Sequence, residues 1–209
     1  DIDFGYPRGQ KPNNLVFVRY RKDITASVII NDEIYAGSNH QAGWLGHLLV
    51  STEGQPCPVC RQRGCISTFV SGAVLTRQID AIYSAQHTPQ LYRALGPTVP
   101  NPGQQALNDP ALFVDLEVCR IIQRAARHLA VGLVNLIHTL DPERIVVFGR
   151  MFENPVLVAE FHKDLQDCLG EELLKRVHVS NIRTQDIYLA GCSAAIRDLF
   201  LHRGGMEFV

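Results

Sequence analysis

The 209-residue chain has no apolar run long enough and clean enough to cross a bilayer. Its richest stretch, HLAVGLVNLIHTL, carries two histidines and an asparagine and reads as a buried helix. The chain also lacks an excess of either charge. Twenty Lys and Arg against 21 Asp and Glu leave a net charge of -1, with no acidic or basic tail. Strong nucleic-acid binding by this chain alone is therefore not expected, because phosphate contacts need clustered Lys and Arg. The basic run Arg19–Lys22 has Asp23 beside it and reads as a solvated turn. No signal peptide is visible, so nothing argues for an oxidising compartment, and a cytoplasmic location is expected. Internal repeats and low-complexity segments are missing, as are a defensible Ser-His-Asp set and paired carboxylates. A composition of 46% hydrophobic and 20% charged residues is that of an ordinary globular protein with one large or two small cores. The chain opens at Asp1 without a methionine, as a fragment or trimmed chain would, so an upstream segment is expected to be missing.

Leu15–Arg19 and Ile24–Ile30 are β-rich runs joined by a short charged turn, and Asn31-Asp32 makes a tight turn into Glu33–Tyr35. Three strands with short turns predict an antiparallel meander. Thr68–Ser84 has apolar residues at spacings of three and four, from Phe69 and Val70 to Ile82 and Tyr83, which predicts a helix. GPTVPNPGQQALNDP reads as a surface loop. Asn108 or Asp109, followed by Pro110, should then cap a long helix running to about Thr139, buried over its second half. The last third alternates. Arg144–Phe148 predicts a strand buried on both faces, Asn154–Cys168 an amphipathic helix, Val177–Ile182 a strand, and Asp186–Leu201 a closing helix. Strand, helix and strand in turn imply right-handed parallel crossovers. The expected fold is a three-layer α/β domain with a mixed sheet, a meander followed by βαβ units.

Against these absences stands one dense cluster, GHLLVSTEGQPCPVCRQRGC. His47 is followed by Cys57, Cys60 and Cys65, half of the six cysteines within nine positions. Three thiolates and one imidazole make a closed tetrahedral shell of the kind structural zinc uses, with no open position for water. Such an ion holds a loop and does no chemistry. Disulfide pairing is the alternative, against which stand the strain of a two-residue spacing and the odd third thiol. Cys119, Cys168 and Cys192 fall on expected helices and read as small buried hydrophobes. His128 and His138 read as core or boundary histidines on the long helix, and His40 as part of a solvated loop.

The segment from AGWLGH through CPVCRQRGC to FVSG resembles the signature of the ROK family, which contains bacterial repressors, open reading frames and sugar kinases. DPERIVVFG and LAGCSAAI resemble the family's DPExIVxGG strand and its closing helix, so the likeness extends over most of the chain. It implies an actin-like ATPase (ribonuclease H-like) lobe. Residues 1–209 are then one domain, with the zinc loop 47–65 inserted, and the N-terminal lobe and any helix-turn-helix lie outside it. The resemblance assigns zinc to His47, Cys57, Cys60 and Cys65. One departure is two residues between the first two cysteines, where the family usually has one.

Other departures fall where the family does chemistry. The kinases' first hairpin turn is GTGxGxG, whose bare backbone approaches the phosphates of ATP. Here it reads RYRKDITAS, without glycine. The glutamate of AGExGH, which binds sugar hydroxyls in the family, is Trp44, and the glutamate after the last cysteine is Ser67. Two acceptors for vicinal hydroxyls are thus gone. The family's double glycine after the buried strand is Gly149-Arg150. Indole can stack on the apolar face of a sugar, so Trp44, His47 and Ser67 are the expected ligand-binding residues, and a packed loop aromatic is the plain alternative for Trp44.

The resemblance with these losses implies the effector-binding and dimerisation part of a transcriptional regulator of the NagC/XylR type, without catalytic residues. It would sense a sugar or sugar phosphate, associate as a homo-oligomer (dimer or tetramer), meet DNA only through an N-terminal domain absent here, and stay off the membrane. An active sugar kinase with an atypical phosphate loop is one alternative, and a ligand-free, zinc-supported interaction module is another.

Overall fold

The computed structural model describes residues 13–20 and 23–180. Five strands form one sheet in the order β3-β2-β1-β4-β5. β1 (Leu15–Tyr20), β2 (Ile24–Ile30) and β3 (Glu33–Tyr35) make the expected antiparallel meander, with Asn31 and Asp32 both left-handed in its second turn. Two adjacent positive φ values suit a two-residue hairpin, and Asn and Asp tolerate them. β4 (Arg144–Phe148) lies parallel to β1, and β5 (Val177–Val179) parallel to β4, so the sheet is mixed. β3 is an edge strand with all three residues exposed.

Alternation decides which face of the sheet is covered by helices. Val16, Val28, Ile145 and Val177 stand in one row across the strands, and Val18, Ala26, Val147 and Val179 in the next. Both rows pack against the helices in one continuous core. On the opposite face Val146 is also fully buried, as expected for a strand covered on both sides. The domain is therefore α/β with a mixed five-stranded sheet and helices. The predicted closing helix, Asp186–Leu201, lies outside the described residues; the strand predicted to reach Ile182 ends at Val179 in β5, with Ser180 already outside it and residues 181–182 not described.

Among the described residues the α-helices are, in sequence order, α1 (Ser67–Val70), α2 (Gly72–Ile82), α3 (Pro89–Leu95), α4 (Pro102–Asn108), α5 (Leu116–Leu140) and α6 (Pro155–Leu174). α5 is the spine. Val118, Ile122, Ala125, Leu129, Leu133 and Ile137 recur every three or four residues and are buried. Burying each large aliphatic side chain contributes about 1.5–3 kcal/mol. Tyr20, at the end of β1, is fully buried and donates its hydroxyl to the Val70 carbonyl, which ties the sheet to α1; burial pushes that hydroxyl's pKa well up.

Several expectations are corrected. The helix over 68–84 is two helices, broken at Ser71, whose extended backbone (ψ 145°) interrupts a periodicity that continues through it. The surface loop 96–110 contains α4, whose Pro102, Gly103, Ala106 and Leu107 are buried. The long helix starts at Leu116, after a 3-10 turn at Pro110–Leu112 whose Ala111 N–H is taken by Asp109 Oδ1. Over its second half only part of the surface is covered, with His138 and Thr139 exposed. Finally, Cys119 is half-buried and Cys168 exposed, so neither is the core hydrophobe expected; Cys192 lies outside the described residues. α6 also runs past Cys168 to Leu174, kinked at Gly170.

Asp115 precedes α5 but caps another helix. Its buried carboxylate accepts from the Gln90 and Leu91 N–H groups (3.1 and 2.8 Å), the free donors at the start of α3. Replacing Asp115 with Ala should destabilise the fold by about 1–2 kcal/mol. Urea titration should show a lower midpoint at unchanged slope, with Asp115→Asn recovering part of the loss; an unshifted midpoint for Asp115→Ala contradicts the assignment.

Candidate metal centre

The segment AGWLGH is laid directly on β2. Ala26 N–H donates to the Gly43 carbonyl at 2.8 Å. Gly43 has φ +80°, and a Cβ there would come within 2.0 Å of the Ala26 oxygen, so only glycine fits. Leu45 is anchored in the core, and the 3-10 turn Leu45–His47 brings His47 around to face the cysteines. Ser67 Oγ donates to the Gly46 carbonyl at 2.7 Å, pinning the turn to the start of α1.

The chain then leaves and returns as a narrow ribbon. Leu49 bridges Cys65, Pro56 bridges Arg63, and Val50 N–H donates to Gly64 at 2.9 Å. At the tip, Arg61 N–H meets the Cys57 carbonyl and Cys57 N–H the Gln62 carbonyl, with Arg61 left-handed at φ 63°. Gly64 passes so close to the outgoing strand that a Cβ would lie 1.7 Å from the Ser51 oxygen. This ribbon returns Cys65 opposite Cys57 and Cys60.

The donors of His47, Cys57, Cys60 and Cys65 all lie within 4.8 Å of one another. Cys60 Sγ is 3.3 Å from Cys65 Sγ, and His47 Nδ1 is 3.6 Å from Cys57 Sγ. A tetrahedral ion with metal–sulfur bonds of about 2.3 Å spaces its donors by roughly 3.8 Å, so the set fits one such ion. Cys57, Cys60 and Cys65 are free thiols, which sets aside disulfide pairing in this structure. Burial pushes the Cys65 thiol up to about 12, reinforced by the Cys60 sulfur and by charge on Cys57 and Cys60. Burial acts on Cys57 too, but backbone N–H groups of Cys60 and Val59, and then the neighbouring thiols, outweigh it and bring Cys57 down to about 7. Three thiolates this close repel one another, and a bound cation is what lets all three ionise together.

The three predicted ligand-binding residues surround the same turn. Trp44 is 52% exposed, its ring 5.6 Å from the His47 ring. His47 presents Nδ1 to the thiols, which leaves Nε2 for a second partner. Ser67 is half-buried with its proton committed to Gly46. His40 is exposed in its loop, as expected. Sequence reasoning missed the stack that ties the cluster to the body. The Phe69 ring lies face to face with His128, centroids 4.2 Å apart and planes within 4°, while His128 Nδ1 sits 2.7 Å from the Arg124 carbonyl. No local signal marks this pair, because its members belong to different helices.

The ROK family model matches residues 7–187. The chain belongs to the ROK family. It is 24% identical over 146 residues to the xylose repressor of Bacillus spizizenii, covering 70% of this chain and 34% of that protein. It is 22% identical over 205 residues to the N-acetylmannosamine kinase of Haemophilus influenzae, covering 96% of this chain and 61% of that one. A crystal structure of a ROK family glucokinase from Streptomyces griseus, in complex with glucose and AMPPNP, superposes with a TM-score of 0.71 at 20% identity, covering 91% of this chain and 62% of that one. Relatives thus include repressors and kinases, and the ROK chain spans about a third to three-fifths of the length of these proteins. No helix among the described residues is long and apolar enough to cross a membrane.

The ribbon geometry can be tested without touching a ligand. Gly64→Ala should lower metal content well below that of the unaltered chain in elemental analysis, as Cys65→Ser should by removing a donor, and both should speed amide exchange across residues 47–68. Full metal retention by Gly64→Ala would contradict the close approach to Ser51.

Proposed function

We propose that this ROK chain is the effector-binding and dimerisation part of a transcriptional regulator and does not transfer phosphate. The observation that carries the reading is the site around His47. Where the family's sugar-binding glutamate is expected, an exposed indole stands beside the histidine, and the Ser67 hydroxyl at the other lost carboxylate is turned into the Gly46 carbonyl. Such a site offers an apolar face and an imidazole edge, not a carboxylate that chelates vicinal hydroxyls. It favours a sugar derivative presented by its apolar ring face, a modified or phosphorylated sugar above free glucose. The xylose repressor's similarity supports the regulator class.

The ion proposed for the centre is zinc, on the strength of a Cys3His donor set converging within 4.8 Å. His47, Cys57, Cys60 and Cys65 would hold it. Bound there with a closed shell, zinc supplies structural rigidity. His47 would then serve two parts: its Nδ1 faces the thiols and would bind the ion, while its ring stands beside that of Trp44. DNA contact would come through a separate N-terminal domain, as in regulators of this family, and self-association through this part.

Loss of phosphoryl transfer follows from the β1–β2 turn. Transfer depends on positioning and on stabilising charge, and a turn without glycine takes away the backbone cradle for phosphates. The alignment of 96% of this chain with 61% of an N-acetylmannosamine kinase favours the competing reading, an active sugar kinase. The intact protein is to be assayed with ATP and magnesium against a panel of hexoses and amino sugars. No turnover above background is expected, and robust turnover on any of them refutes the regulator reading.

Calorimetric titration with sugars and sugar phosphates addresses the site itself. Trp44→Ala should weaken a bound sugar about tenfold or more, the magnitude of losing one aromatic stacking platform. If a sugar binds and Trp44→Ala leaves its affinity unchanged, the site lies elsewhere. If none binds at millimolar concentration, the interaction-module reading replaces this one.

A further inference from the structure

We propose that Cys60 is a thiol-modification site, at which a hydroperoxide joins Cys60 to Cys65 as a disulfide and expels the metal. The inference rests on the four-donor cluster being a metal centre. It goes beyond that reading by assigning unequal roles to the three thiols.

The first observation is access. Among the three clustered cysteines, Cys57 is 2% exposed and Cys65 0%, whereas Cys60 is exposed. An oxidant arriving from solvent meets Cys60 before the two buried cysteines. The second is proximity. Cys60 Sγ lies 3.3 Å from Cys65 Sγ. A disulfide needs about 2.05 Å, so roughly 1.3 Å remains to be closed. The third is where that movement falls. Cys65 is held by its bridge to Leu49 and by the Gly64–Val50 hydrogen bond next to it, with Ile66 buried behind. Cys60 stands in the solvent-facing turn 57–62, where residues 58–62 are all exposed. The exposed partner can move to the fixed one.

The chemistry balances with a hydroperoxide as sole oxidant. The Cys60 thiolate attacks a peroxide oxygen; the S–O bond forms, the O–O bond breaks, and hydroxide leaves, giving a sulfenic acid. The Cys65 thiolate then attacks that sulfur; the S–S bond forms, the S–O bond breaks, and a second hydroxide leaves. Two thiolates lose two electrons, hydrogen peroxide becomes two waters after uptake of two solvent protons, and the metal departs as its cation. His47 and Cys57 remain, too few donors to retain a tetrahedral ion. A dithiol reductant with free metal restores the cluster.

The test uses the whole chain, reduced and loaded with zinc, with hydrogen peroxide as the probe. Zinc release is followed with a chromogenic chelator, and the bond is located by mass spectrometry of unreduced peptides. About one zinc should be freed per chain as the Cys60–Cys65 crosslink appears, and dithiothreitol with zinc should reverse both. Cys60→His keeps four donors but removes the exposed thiol, and should slow release at least about tenfold. The proposal is overturned by zinc retention while Cys60 is oxidised, by a crosslink from Cys60 to any cysteine other than Cys65, or by unchanged release from Cys60→His. Should that variant not fold, the crosslink map of the unaltered chain decides. A reduced protein that takes up no zinc would refute the metal reading by itself, and the partner found for Cys60 would still decide the disulfide.

Discussion

The dipeptide Cys65-Ile66 has no exposed surface, and the rest of the site depends on it. Cys65 points its sulfur to the other thiols, and Ile66 packs in the main core with α5, where Gly132 leaves room for its side chain. Ile66 N–H donates to the Leu48 carbonyl at 2.9 Å, so the segment is fixed by backbone as well as by burial. A loop of small and polar residues has little apolar surface of its own to hold it, and small units of this kind commonly rely on a bound metal. Here the ribbon borrows the domain core at one end and the four donors at the other.

The same economy explains the ring around the cluster. Gly43 carries the AGWLGH turn onto β2, Ser67 ties it to α1, and Tyr20 ties β1 to the end of α1. The sheet, α1 and the histidine turn therefore meet within a few residues of His47. Phe69 extends this contact to α5 through its stack on His128. Trp44 projects from this arrangement into solvent. Its exposure follows from the fixing of its neighbours on both sides, since Gly43 and Leu45 are held against β2 and the core.

Features written in local pattern were legible in the sequence. The alternation of β1 and β2, the continuous apolar run of β4 and the ligand spacing of the cluster each lie within a short window, and the structure places them where that reasoning put them. Features set by distant partners were not legible. Asp115 sits where a helix cap belongs but serves α3, 24 and 25 residues back, and no propensity reports that. The break at Ser71 was hidden because apolar spacing continues across it. α4 was masked by prolines and glycine, yet Pro102 occupies a first helical turn, where proline is well tolerated. Strand order, with β1 between an antiparallel and a parallel neighbour, followed only from the crossover. In the site, the residue types were readable, whereas the unequal exposure of the three thiols required the folded ribbon.

The chain contains a single tryptophan, and it stands half-exposed with its ring 5.6 Å from that of His47. Indole emission is ordinarily read as a report on a whole fold. In this protein it is a local instrument, sensitive to imidazole charge and solvent beside one turn, while far-ultraviolet dichroism averages over every helix and strand of the chain. The two signals need not move together on heating or in denaturant, and their divergence would be a property of the loop and not a sign of a folding intermediate.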